Sequence, residues 1–146
     1  MATTQATRIN EILYHGSKAA FSSFLPSTST VRGRGIFFSD SLRYAKKFGD
    51  IVYVAKVTLD KPKVYWNSVD FTAAAMVAGD SAERLTLELA AAGFDGVVIE
   101  NSKVSTGTVR EVICFDPGSA TILEIRHKGK PACDCPDCKP TGDETA

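Results

Sequence analysis

Long apolar runs are missing from this chain of 146 residues, and none approaches the roughly 20 consecutive apolar positions a membrane-crossing helix needs. The opening MATTQATRINEI has no apolar segment of the kind a secretory signal carries, so the expectation is a cytoplasmic protein. Net charge is missing too: 17 Lys and Arg balance 17 Asp and Glu, which removes bulk attraction to nucleic acid or an anionic membrane as a default reading. Neither a GxxxxGK[ST] loop nor a GxGxxG turn occurs, so the common nucleotide cradles are excluded. Cysteine is scarce and clustered. Cys114 sits in the apolar run Val112-Ile113-Cys114-Phe115 and the other three crowd into CDCPDC, which is no dispersed disulfide framework.

What is present is an average globular composition, 44% hydrophobic and 23% charged, over a length suited to one domain with a sizeable core. Residues 1–7 are small and polar, and 129–146 form a Cys-containing polar tail, so the domain is expected over 8–128. The charge is unevenly spread. Residues 1–73 carry ten basic and five acidic side chains, and 74–146 carry seven and twelve, which places a phosphate-bearing ligand best in the first half.

Strands are expected over 11–14, 35–38, 51–59, 63–66, 96–99, 111–115 and 121–125, where β-branched and aromatic residues lie between Gly, Ser, Thr and Pro turns. Ser39 or Asp40 can cap a helix running to about Phe48, with Tyr44 and Phe48 four apart on one face. Ala-rich residues 71–78 suggest a weak helix. Asp80-Ser81-Ala82-Glu83 has capping-box spacing and opens a better one ending at Gly93. Residues 17–34, with seven Ser and Thr, read as a surface loop spanning a site. Strands and helices do not alternate strictly, which argues for an α+β fold rather than a parallel sheet.

Several residues could carry chemistry, each with a plainer alternative. His15 lies where a strand breaks at Gly16, a residue that allows close ligand approach, although a lone histidine is more often structural. Glu111 opens Glu-Val-Ile-Cys-Phe; with Val112 and Cys114 on one face, it shares the other with Ile113 and Phe115. It therefore either faces a cleft or lies in water at the strand end. Phe37, Phe38, Tyr44 and Phe48 could form a planar-ligand pocket or simply core. Arg32 and Arg34 flank Gly33 and could offer two guanidinium groups to a diphosphate, or form a solvated turn. Cys133, Cys135 and Cys138 with His127 could supply zinc ligands, but the segment has little apolar material to pack on a metal, and no metal is expected.

In order, these fragments resemble the ADP-ribosyltransferase superfamily, in its diphtheria-toxin-like and poly(ADP-ribose) polymerase-like branch with the small phage and bacterial relatives. Leu13-Tyr14-His15-Gly16-Ser17 is similar to the first motif, a strand ending in aromatic-His-Gly-Ser/Thr. Gly35-Ile36-Phe37-Phe38-Ser39-Asp40, with Phe48 downstream, is similar to the Gly-Ile-Tyr-Phe-Ala-Asp block and its later aromatic. Arg110 to Asp116 resembles the strand opening with the catalytic glutamate, and Gly93-Phe94-Asp95-Gly96-Val97-Val98 resembles a Gly-Tyr-Asp-Gly-Val strand start. Two positions depart from the pattern, since Phe37 and Phe48 stand where the branch usually has Tyr. Val109 stands where arginine-specific relatives carry Glu or Gln, which disfavours an arginine acceptor.

The resemblance implies a split, twisted antiparallel sheet with a central NAD cleft and two or three helices. It implies a mono-ADP-ribosyltransferase that consumes NAD+ as substrate, holds no permanent cofactor, releases nicotinamide and modifies a macromolecule, a protein before a nucleic acid. The catalytic trio would be His15, Phe48 and Glu111. Gly16, Ser17, Phe37, Ser39 and Tyr44 would join them around NAD+; charge and position, rather than the resemblance, put Ser17 or an arginine of the 32–34 turn, Arg34 by expectation, at the pyrophosphate. A cytoplasmic, monomeric phage or bacterial effector fits the relatives. NAD+ glycohydrolase activity is the second enzyme reading, and an inactive NAD+- or ADP-ribose-binding module is the reading from another class.

Overall fold

A computed structural model describes residues 8–127, apart from 19, 22, 30, 31 and 80. Cys133, Cys135 and Cys138 lie outside the described residues, as does the side chain of His127. The strands are β1 (Ile9–Ser17), β2 (Ser27–Ser29), β3 (Gly33–Ser39), β4 (Ile51–Leu59), β5 (Pro62–Asn67), β6 (Gly96–Val104), β7 (Gly107–Cys114) and β8 (Ala120–His127). The helices are α1 (Leu42–Ala45), α2 (Ser68–Val77) and α3 (Ala82–Ala91).

β4 follows from its composition: Ile51 to Ala55 are buried in succession, as expected of an interior strand covered on both sides, and its bounds coincide with the expected ones. α3 follows from spacing. Ala82, Leu85, Thr86 and Leu89 are its buried residues, and Ser81 caps it by accepting a hydrogen bond from the Arg84 amide. Asn67 does the same for α2 through the Asp70 amide, so that helix begins at Ser68 rather than 71. The helix expected up to Phe48 is short: Ser41 is its cap, α1 covers four residues, and Lys46–Phe48 continue as a 3-10 turn. Ser39 does not cap it, because its hydroxyl is engaged with the Ser41 backbone, donating to the carbonyl at 3.0 Å and accepting from the amide at 3.2 Å.

The strand order is β5-β6-β7-β3-β1-β4-β8, with β2 attached to β3. All pairings are antiparallel except β5 with β6. That parallel pair departs from the expected wholly antiparallel sheet, and the reason is chain length: α2 and α3 between the two strands return the chain to the end at which β5 began. The sheet is split. β1 and β4 pair along nine residues, whereas β1 and β3 are in register at Tyr14 opposite Ser39.

Two apolar clusters lie on opposite faces. Leu13, Phe38, Tyr53, Val112 and Cys114 belong to one; Phe71, Leu85, Leu89, Ile99 and Ile113 belong to the other, under α2 and α3. The alternation expected on β7 is therefore present. The segment after β1 is not merely a surface loop: Phe24 is buried in the first cluster, and Phe21 stacks on Tyr53 at 4.1 Å between ring centroids. The Tyr53 hydroxyl fixes it further, accepting from the Phe21 amide at 2.6 Å and donating to the Phe21 carbonyl at 3.2 Å.

Candidate functional site

Where β1 and β3 part company, a cavity of about 730 Å3 opens. His15, Gly16, Ser17, Phe37, Ser39, Tyr44, Phe48 and Glu111 all line it, so eight of the residues singled out from sequence converge on one cleft. Arg34 does not. It is exposed on the far side of the turn, where its amide donates to the Thr86 hydroxyl at 2.9 Å. Arg32 enters the cleft instead.

β1 supplies His15, whose ring is surrounded by Phe21, Phe24, Phe38 and Tyr53 at 5.3–6.0 Å between centroids. Its Nδ1–H donates to the Phe37 carbonyl at 2.6 Å. Because that carbonyl can only accept, the proton sits on Nδ1 and Nε2 is left as an acceptor. Burial among the rings pushes the His15 pKa below its ordinary value, with the Phe37 bond acting in the opposite sense. The residue is thus a neutral, oriented acceptor.

Gly16 has a reason to be glycine other than room for a ligand. A Cβ there would lie 1.8 Å from the Ala45 carbonyl oxygen and 3.2 Å from the Phe48 Cβ, so the missing side chain is what lets α1 and its 3-10 extension sit against β1. That contact sets the aromatic wall. Tyr44 and Phe48 meet edge to face rather than stacked, with centroids 5.0 Å apart and planes at 87°. Phe48 remains 49% exposed, which leaves a flat ring face available at the cleft mouth. Burial raises the Tyr44 hydroxyl pKa, helped by the Glu111 carboxylate and opposed by Arg32.

Glu111 is not at a strand end. β7 begins at Gly107, four residues earlier than expected, and Glu111 as a whole residue is 9% exposed, on the face it shares with Ile113. A buried carboxylate needs partners, and it has two. Arg32 donates to it through both arms of its guanidinium, Nε to Oε1 and Nη2 to Oε2, each at 3.0 Å. Ser102, fully buried on β6, donates its hydroxyl to Oε2.

Sequence reasoning missed Ser102 because a strand ending at 99 gave it no place. β6 continues to Val104, and its pairing with β7 shifts by one residue, from Ile99 opposite Glu111 to Ser102 opposite Val109. Without the shift, residue 101 would take the face that Ile99 occupies; the inserted residue turns Ser102 to that face. A fixed carboxylate, an oriented imidazole acceptor and two or three aromatic rings around one cleft can hold a sugar hydroxyl, a planar cationic ring and a developing positive charge together. Among the described residues no group of three metal-ligating side chains gathers, and no helix is long and apolar enough to cross a membrane.

A solved structure described as "Crystal structure of an anti-CRISPR protein" is 19% identical with a TM-score of 0.47, covering 81% of this chain and 95% of that one. No curated protein matches. The family model for the ADP-ribosyltransferase in polyvalent proteins matches residues 10–120, the stretch that carries β1 through the start of β8 and every residue of the cleft. The chain belongs to that family of ADP-ribosyltransferases.

Proposed function

We propose that the protein is a mono-ADP-ribosyltransferase that moves ADP-ribose from NAD+ to a macromolecular acceptor, a protein before a nucleic acid. The observation that carries this is the Glu111 carboxylate, buried and oriented across the same cleft as His15, Phe37, Tyr44 and Phe48. In the reaction the bond between the ribose C1′ and the nicotinamide nitrogen breaks, its electron pair leaving with neutral nicotinamide. The acceptor nucleophile then bonds to C1′ and gives up a proton.

Because the leaving group starts cationic, the protein has to orient it and steady an oxocarbenium-like transition state. Glu111 does this by accepting from the 2′-hydroxyl of the nicotinamide ribose and placing negative charge beside the developing cation. His15 Nε2 accepts from a hydroxyl of the adenosine ribose. The Gly16 backbone bonds the nicotinamide carboxamide, and Phe37 and Phe48, with Tyr44, enclose the ring. Ser17 and Ser39 lie along the same wall. Phe in place of Tyr keeps the stacking and loses one hydroxyl donor. The protein acts as a monomer in the bacterial cytoplasm, as an effector of phage or bacterial origin.

The test is to incubate the protein and Glu111→Gln with adenine-labelled NAD+ and bacterial lysate. Label on protease-sensitive material that depends on Glu111 supports protein transfer, and nuclease sensitivity moves the acceptor to nucleic acid. Nicotinamide release without labelled macromolecule makes the protein a glycohydrolase. NAD+ binding without cleavage makes it a binding module and overturns the transferase reading.

A further inference from the structure

We infer that Arg32 is a substrate-sensing residue, exchanging the Glu111 carboxylate for the diphosphate of the substrate and thereby selecting nicotinamide substrates that carry a diphosphate. The inference rests on the reading of Glu111 given above. Its starting point is a conflict of duties at one carboxylate. Glu111 stabilises a developing cation only while its negative charge is uncompensated, yet the Arg32 guanidinium sits on both of its oxygens at 3.0 Å. The pair is largely shielded, with 16% of the arginine side chain and 12% of the glutamate side chain exposed, so water screens the neutralisation less than it would a surface pair.

The surroundings allow one partner to leave while the other stays. Ser102 donates to Oε2 through its own hydroxyl, while Arg32 Nη2 also reaches the Ser102 oxygen at a long 3.5 Å, so Glu111 keeps one partner after the arginine withdraws, and Oε1 becomes open to a ribose hydroxyl. The Arg32 backbone is anchored, which confines the exchange to its side chain: its amide donates to the Ser29 hydroxyl at 3.1 Å, and the next two residues are clamped to α3. Gly33 has φ +87, and a Cβ there would lie 2.4 Å from the Ala82 carbonyl, while the Arg34 amide is bonded to Thr86. Arg32 itself lines the cleft, as do Ser27, Thr28 and Ser29.

A guanidinium fork matches a diphosphate as well as it matches a carboxylate, and a diphosphate brings more negative charge. A substrate with that group therefore pulls Arg32 away and leaves the catalytic carboxylate charged where the bond breaks. A substrate lacking it, such as nicotinamide riboside, leaves Glu111 neutralised. Discrimination thus arises from an internal competitor rather than from added contacts alone.

The experiment compares wild type with Arg32→Gln on NAD+ and nicotinamide riboside by nicotinamide release, and on ADP-ribose by calorimetry. Arg32→Gln is expected to weaken ADP-ribose binding and raise the KM for NAD+ by about 10- to 100-fold, the size of a lost charge-assisted bond. Its kcat on nicotinamide riboside is expected to rise by about tenfold, since the competitor on Glu111 is gone. Where Arg32→Gln does not fold, Arg32→Lys, which keeps the charge but not the fork, is expected to move both quantities in the same directions by less. Equal loss of kcat on both substrates with ADP-ribose binding unchanged overturns the inference and makes Arg32 a residue that only positions Glu111. Wild-type protein that neither binds ADP-ribose nor cleaves NAD+ removes the catalytic reading as well, so the two failures are distinguishable.

Discussion

Arg110 and Glu111 are neighbours in sequence, and each joins an ion-paired group, but they face opposite sides of β7 and do different work. On the cleft side, Glu111 is held by Ser102 of β6 and by Arg32 of the turn before β3, whose guanidinium lies over the Phe71 ring of α2. On the other, Arg110 reaches Glu100 on β6 at 2.9 Å and Glu11 on β1, while its backbone amide donates to the Asp40 carboxylate at 3.0 Å. The Arg110 group is 23–38% exposed and spans from the β7 half of the split sheet to the β1 half, beyond the point where β3 ends. It braces the opening. The comparison shows that ion pairing alone does not mark a site; what separates the two is that Glu111 and Arg32 line the cleft with its ligand-sized volume and aromatic walls, and Arg110, Glu100 and Glu11 do not.

The largest effect should come from Glu111→Gln, which keeps the shape of the side chain. Nicotinamide release is expected to fall by about 100- to 1,000-fold, the range for losing one oriented charge at a transition state. Denaturant unfolding should show the variant still folded, and a rate within a fewfold of wild type would break the distinction between the two faces.

Gly16→Ala should come next, because its Cβ would meet the Ala45 carbonyl at 1.8 Å and push Tyr44 and Phe48 outward. We expect a loss of about 1–3 kcal/mol in urea unfolding, the usual cost of overpacking, with weaker NAD+ binding in the fraction that folds.

Arg110→Gln tests the bracing side. Its partners are partly solvated, so the expected destabilisation is about 1 kcal/mol, measured by the same unfolding curves. Turnover per folded molecule should not change. A large loss of turnover at unchanged stability would place Arg110 in the chemistry and erase the contrast.

The smallest effect concerns protons. His15 has a folded-state pKa below its ordinary 6.5 because burial disfavours the charged ring. The unfolded chain therefore binds this proton first, so stability is full above 6.5 and declines as the pH falls through 6.5 toward the folded value. From about pH 7.5 to about pH 5, wild type should lose more stability than His15→Gln, and identical pH profiles for the two would contradict it.

Much of this arrangement is legible in the residues themselves. β4 is readable because nine residues of β-branched and aromatic character announce an interior strand, and the alternation on β7 places Glu111 opposite Val112 without any tertiary information. Arg32 shows its type but not its target: choosing it over Arg34 depends on which way the turn faces once Gly33 is pressed onto α3, a contact between distant parts of the chain. Ser102 was hidden for a different reason. A one-residue shift in pairing has no signature in composition, yet it decides which of two adjacent polar residues meets the carboxylate. The parallel β5–β6 pair was unreadable because the direction of the return depends on how α2 and α3 pack together.

The joint between β1 and β3, in register at Tyr14 and Ser39, has a mechanical meaning. A sheet continuous along its length resists bending at every rung, whereas two leaves joined at one place concentrate compliance there. Thermal widening of the gap is then rotation about a spine, and its restoring force comes from the Arg110–Glu11 contact and from the loop pinned by Tyr53, both on the face of the first apolar cluster. Backbone amides near Ser39 and Asp40 should accordingly exchange with deuterated solvent sooner than those of β4, and a bound dinucleotide lying across both leaves should slow them.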